Sequence, residues 1–144
     1  MENWGYLIES EINSINFDSK NKKLHLGLHF PWCDGTGRIL ANGVIDFVAN
    51  EMRLSNIIDR AILLPSAENE VDIITAARRL FFLMRGRNPD SHELDWPILK
   101  ERIKLISNRE LFFLEIEPIH GASFLILALQ IQLELPDDIK KRRN

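Results

Sequence analysis

Residues Glu110–Leu135, ELFFLEIEPIHGASFLILALQIQLEL, constrain this chain more than any other stretch. A run of large apolar residues breaks at Pro118-Ile119-His120-Gly121 and then resumes. From Leu125 the pattern has a period of two, with Leu125, Leu127, Leu129, Ile131, Leu133 and Leu135 alternating against Gln130, Gln132 and Glu134. Successive side chains of a strand point to opposite sides of the sheet, so this alternation suits a strand with one buried face. The pattern predicts two adjacent antiparallel strands, Leu111–Glu117 and Ser123–Leu135. Pro118 removes a ladder donor between them and Gly121 permits an unusual φ. Leu111–Leu114 and Phe124–Ala128 are apolar on both faces and therefore need cover on both sides. A helix over Ala122–Leu135 is the rival, because Leu, Ala, Gln and Glu favour helices. On a helix, however, Gln132 would lie nearly opposite Gln130 and Glu134. The strand reading directs Leu129, Ile131 and Leu133 into a helix-covered core.

The remaining chain supplies the partners. Trp4, Leu7, Ile8 and Ile12 suit one or two turns of amphipathic helix, and Ile15–Phe17 a short strand. Asp18–Lys23 reads as a turn. Leu24, Leu26, Leu28 and Phe30 alternate with His25, Gly27 and His29, a clear strand pattern, and Pro31–Gly37 closes it as a hairpin loop. Ile39–Ala49 suggests strand with a bulge or tight turn at Asn42-Gly43. Leu54–Leu64 fits strand or short helix, with strand preferred and Pro65 ending it. Ser66 reads as an N-cap, with Glu68, Glu70 and Asp72 at the positive end of the helix dipole. Ile73, Ile74, Ala77, Leu80, Phe81 and Met84 form the apolar stripe, and Arg85-Gly86 ends it. A second helix starts near Ser91 or Asp95 and runs to Ser107, with Pro97 in its first turn and Leu99, Ile103 and Ile106 buried.

The expected fold class is α+β: a mostly antiparallel sheet of about five or six strands, with two main helices packed on one face. Residues 1–136 would form the single domain, and 137–144 a disordered charged tail. A chain of 144 residues suits one domain, and 45% hydrophobic with 27% charged content is ordinary for a globular protein. No apolar run reaches the roughly 18 residues of a spanning helix, and the N-terminus has Glu2, Glu9 and Glu11 where a signal peptide carries bases. One cysteine rules out an internal disulfide and fits a reducing cytoplasm. The net charge is −3, and the tail holds four bases against two acids, so the body is more acidic than the whole. A general nucleic-acid binder would show a basic footprint instead.

Several constellations carry residue types that chemistry could use. His25-x3-His29-x3-Cys33 has metal-like spacing, but four residues of strand span roughly 13 Å, so no metal site is expected. Asp34-Gly35-Thr36-Gly37 lacks the Lys-Ser/Thr of a phosphate loop and reads as a turn. Cys33 has no evident base to activate it. Glu115 and Glu117 share a strand face about 7 Å apart, a separation compatible with a glycosidase pair but shared by any solvated strand end. Arg78, Arg79, Arg85 and Arg87 cluster without the aromatic interleaving of a single-strand binder. No catalytic residue, cofactor or metal is assigned.

One resemblance adds to this. An N-terminal Trp4, a strand and hairpin, Gly43-Val44 leading to Leu54-Ser55-Asn56-Ile57-Ile58, then a helix, Ile116-Glu117-Pro118 with His120-Gly121-Ala122, and a closing strand follow in order. This layout resembles small bacterial immunity proteins of polymorphic-toxin and contact-dependent growth inhibition systems. The resemblance implies a non-enzymatic cytoplasmic protein that binds and blocks a cognate toxin domain, a nuclease being one candidate, with no nucleic-acid or membrane partner. A nuclease needs basic surface for phosphates, which acids on the inhibitor would complement. The candidate contacts are Asp90, Glu93 and Asp95 between the helices, and Glu68, Glu70 and Asp72 at the first helix start. Two other classes remain open: a small enzyme working through Glu115 and Glu117, and a subunit or adaptor that oligomerises.

Overall fold

The computed structural model describes residues 3–66 and 72–139. A 3-10 turn at Trp4–Leu7 leads into strands β1 (Glu11–Asp18), β2 (Lys23–Phe30), β3 (Gly35–Asn50) and β4 (Ile57–Leu64). Helix α1 (Ile73–Arg85), a 3-10 turn at Ser91–Asp95 and helix α2 (Pro97–Ser107) follow. Strands β5 (Phe112–His120) and β6 (Ser123–Glu134) complete the chain. All strand pairs are antiparallel, and the sheet closes into a barrel in the order β1-β2-β3-β6-β5-β4. The α+β class, the six strands and the two helices agree with the sequence pattern; closure of the sheet on itself was not visible there.

Two apolar cores follow from the two faces of β5 and β6. Phe124, Ile126 and Ala128 point into the barrel, beside Leu24, Leu26, Leu28 and Phe30 of β2. Leu125 and Leu127 point outward, where Ala76, Leu80, Phe81, Leu99, Ile103 and Ile106 of the helices cover them together with Phe113. This is the double cover that the apolar-on-both-faces stretch required. Residues 123–134 are strand, and the helical alternative is excluded.

The single continuous face from Leu125 to Leu135 does not exist, and this corrects the sequence reading. Leu125 and Leu127 face the helices, Leu129 is 57% exposed, and Ile131 and Leu133 enter the barrel. The cause lies on β3. Gly43 sits at φ +63°, where a Cβ would meet the Leu129 side chain, and the β3–β6 register shifts between Val44 and Asp46. Inward-facing residues are three apart on both strands here, Ala41 to Val44 and Ala128 to Ile131, so both strands change face together. A bulge of this kind bends a strand and raises its local twist. The register shift lies at Ile45, just beyond the expected Asn42-Gly43, where the pairing stays regular; at Gly43 itself the sequence signal marks a positive φ, and its consequence for β6 is not visible in β6 alone. Gln130, Gln132 and Glu134 remain exposed as expected.

Helix α1 starts later than predicted. Asp72, not Ser66, is the N-cap, accepting from the Ile74 and Thr75 N–H groups at 3.1 and 3.3 Å. Ile73 and Ile74 are exposed instead of buried. The first turn is held off the sheet by a cleft described below, and the buried stripe begins at Ala76. Gly86 ends the helix in the left-handed conformation, as its position predicted. Helix α2 carries Pro97 in its first turn and buries Leu99, Ile103 and Ile106 as expected. The N-terminal helix shrinks to one 3-10 turn that buries Trp4 and Leu7, and Ile12 belongs to β1. Of the tail 137–144 expected to be disordered, Ile139 is 5% exposed and packs with the barrel core, and residues 140–144 lie outside the described residues. Among the described residues, no helix is long and apolar enough to cross a membrane.

Candidate functional site

The antiparallel β4–β5 pair sets Arg60 opposite Glu117, Ile62 opposite Glu115 and Leu64 opposite Phe113. All six line a cleft of about 470 Å³ whose other wall is the start of α1, Asp72, Thr75, Ala76 and Arg79. Its volume is within the range of small-molecule sites. Glu115 and Glu117 do share one outward face, as the period of two requires. Each, however, holds an arginine. Arg60 donates to Glu117 through both Nε and Nη2, at 3.1 Å to Oε2 and 2.8 Å to Oε1. Arg79 reaches across from α1 to Glu115 Oε2, with Nε at 2.7 Å and Nη2 at 2.6 Å.

This geometry opposes acid–base work. A retaining or inverting glycosidase needs one carboxyl to protonate a leaving group and a second to attack or activate water. Both oxygens of Glu117 already accept from Arg60, and Glu115 is tied to α1. The Arg79–Glu115 pair acts as a clasp between helix and sheet. Being partly exposed, it contributes on the order of 1 kcal/mol or less.

The acidic candidates between the helices have structural partners of their own. Glu93 accepts from Arg87 at 2.9 and 2.7 Å and from the Asp90 N–H at 3.0 Å. Asp95 lies 3.4 Å from Lys100 and is well exposed. Asp72 also receives the Thr75 hydroxyl at 2.9 Å. Glu68 and Glu70 lie outside the described residues. Among the described acids, Asp72 caps the start of α1, whereas Asp90, Glu93 and Asp95 follow its C-terminal end, so they sit on two separate elements.

Hydrogen bonds from Arg87 and from the Asp90 N–H lower the Glu93 pKa from 4.5 to about 2. A folded-state pKa below the unfolded value stabilises above the unfolded pKa, and the contribution fades as pH falls from about 4.5 to about 2. A carboxyl-detected NMR titration is expected to place the Glu93 midpoint near 2. In Arg87→Ala it should rise toward 4.5. A wild-type midpoint already at the ordinary value would show that the pair does not hold in solution.

Other sequence candidates resolve into separate contacts. Arg85 lies over the Trp96 ring and Arg87 over Phe81, so Arg79, Arg85 and Arg87 are divided among packing and ion pairs. His29 bonds Asp34 through Nε2 at 3.0 Å, and its Nδ1 is 3.8 Å from Glu11. Among the described residues, no group of three or more His, Cys, Asp or Glu converges as a metal site.

A second surface escaped the sequence reading. β3 is paired with β2 only to Asn42 and thereafter with β6 alone. β1 meets β4 at a single register pair, Glu11 with Ile57. The barrel wall is therefore incomplete between β1, the second half of β3 and the loop Glu51–Asn56. Phe17, Ile45, Met52 and Leu54 are exposed on these segments, Leu54 completely. Phe17 and Phe47 meet edge to face across this opening, with ring centroids 4.8 Å apart. Ile15–Phe17 and Ile39–Ala49 read as ordinary strand, and Met52 and Leu54 stand alone in a polar loop; only the topology gathers these residues.

No family model, curated protein or solved structure matches this chain.

Proposed function

We propose that this chain is a toxin-neutralising immunity protein, which binds a bacterial toxin domain in the cytoplasm and blocks it without catalysis of its own. The observation that carries the binding reading is the apolar opening in the barrel wall, where Phe17, Ile45, Met52 and Leu54 are presented to solvent. Clustered exposed apolar side chains mark interaction surfaces in soluble proteins. The arginine-bound state of Glu115 and Glu117 supports the non-catalytic half of the reading. The layout resemblance to immunity proteins supplies the toxin as partner.

The acidic contribution narrows accordingly. Asp95 and Asp90, exposed beside the helices, remain the candidate contacts for a basic toxin surface, while Glu93 and Asp72 act first on their own helix ends. Their role would be to speed the encounter, a contribution that salt screens.

The same apolar opening favours a second reading, a subunit or adaptor that assembles through it. Co-expression with the protein encoded beside it, followed by pull-down and growth assay, separates the two. The immunity reading expects rescue of growth and a stable one-to-one complex. Equal death with and without this chain, or self-assembly with no complex, would refute it.

A further inference from the structure

The opening beside β1 is shaped for a strand. Ile12 donates its N–H away from β2, to Asn56 O at 2.8 Å. Its register partner on β2 is Leu28, and the following partners of the same phase are Leu26 and Leu24, opposite Ile15 and Phe17. Hydrogen-bonded and non-hydrogen-bonded pairs alternate along an antiparallel ladder. The N–H and C=O groups of Ile15 and Phe17 therefore point away from β2 as well, where no strand of the described residues pairs with them. A groove of about 370 Å³ lies beside Ile15, walled by Glu11–Ile15 on one side and by Met52, Arg53, Leu54 and Asn56 on the other, and Phe17 follows just beyond its lining.

We infer that this groove receives an extended segment of a partner protein, which adds to β1 as an antiparallel or parallel strand. Exposed edges are templates for pairing with another chain, and strand addition is a recurring mode of peptide recognition. Two main-chain donor–acceptor pairs, at Ile15 and Phe17, are about 7 Å apart, which matches every second residue of an incoming strand. One side of that strand would place an apolar residue against Phe17 and Leu54. Arg53 lines the groove and has no ion-pair partner among the described residues, so the segment carries a carboxylate at the position facing it.

A second copy of this chain fits less well than a free segment. The Met52–Asn56 loop forms the outer wall of the groove, so two barrels could bring their β1 edges together only if both loops moved away. A single strand enters between edge and loop. The inference rests on the binding reading above and does not require that the partner be a toxin.

The test uses the whole chain and a displayed library of 12-residue peptides. Selected peptides are expected to alternate apolar and polar residues and to contain an acid, and their binding should slow amide exchange at Ile15 and Phe17. Ile15→Pro removes one outward N–H while leaving the bonds to β2, and edge strands tolerate proline. It should weaken the selected peptides at least tenfold with an unchanged circular dichroism spectrum. Leu54→Asp tests the opposite wall without touching β1, and Arg53→Glu should reverse the preference for an acid. Failure to select any peptide above the bare-support background would overturn the inference, as would binding indifferent to both Ile15→Pro and Leu54→Asp. A dimer of the free chain that Ile15→Pro dissolves would overturn it in favour of a second copy. If the co-expressed neighbour binds but Ile15→Pro and Leu54→Asp leave that complex intact, strand addition falls while the immunity reading stands.

Discussion

Phe124→Ala is expected to destabilise the protein by about 3–5 kcal/mol, and Leu129→Ala by less than about 1 kcal/mol. The two residues lie five apart on β6, and simple strand alternation would put them on opposite faces. Phe124 is fully buried within the barrel, among residues contributed by β2, β3 and β5. Truncating it removes the transfer free energy of the ring and leaves a cavity that a closed wall can relax into only partly. Leu129 lies outside, against Gly43, and loses little on truncation. Phe81→Ala, on the helix side, should match Phe124→Ala, because Phe81 is 2% exposed and packs edge to face with Trp96. Denaturant titrations decide the matter. A loss at Leu129 equal to that at Phe124 would mean that Leu129 is covered rather than solvent-exposed, and a loss at Ile131→Ala as small as that expected at Leu129 would mean that β6 does not change face beyond Leu129.

The same pair of residues shows how far the sequence could be read. Existence and type of most elements were legible, because β2, β6 and α2 have strong periodicity and α2 begins with proline. The face change at Leu129 was not, since it originates in Gly43 on β3, 86 residues earlier and paired with it only in the fold. Glu115 and Glu117 were rightly placed on one face, but Arg60 and Arg79, which bind them, come from a neighbouring strand and a helix. Arg79 looked like one member of a solvated basic cluster. Asp72 was recognised as belonging to the helix start, yet its capping role was assigned to Ser66, which has an equally suitable hydroxyl. Local sequence offers both, and packing of the helix on the sheet chooses between them.

Asn56→Ala is the second large effect expected, a loss of about 2–4 kcal/mol. Asn56 is a buried polar residue, 3% exposed, at the end of the loop that carries Arg53 and Leu54. Its Oδ1 accepts from the Ala122 N–H at 2.9 Å and the Arg53 N–H at 3.1 Å, and its Nδ2 donates to Arg53 O at 2.7 Å. One side chain thus ties the 53–56 loop to itself and to the turn between β5 and β6. Alanine would leave the buried Ala122 N–H without a partner, at roughly 1–3 kcal/mol, beyond the loss of the loop's own bonds. Gly121 completes the junction. It lies at φ +88°, and an added Cβ would come within 2.6 Å of Ser55 O and 2.9 Å of Asn56 Cα, main-chain atoms that cannot step aside. Gly121→Ala should therefore cost at least about 1–3 kcal/mol from the backbone strain alone. Because both substitutions open one junction, the double variant should lose less than the sum of the two. The measurement is a denaturant titration of all three proteins, with amide exchange at Ala122. Full additivity, or an Asn56→Ala variant within about 0.5 kcal/mol of the parent, would show that the loop is held by something other than this side chain. If Asn56 does hold it, the wall of the β1 groove is fixed in advance of any partner, and preorganisation lowers the ordering cost when a strand enters.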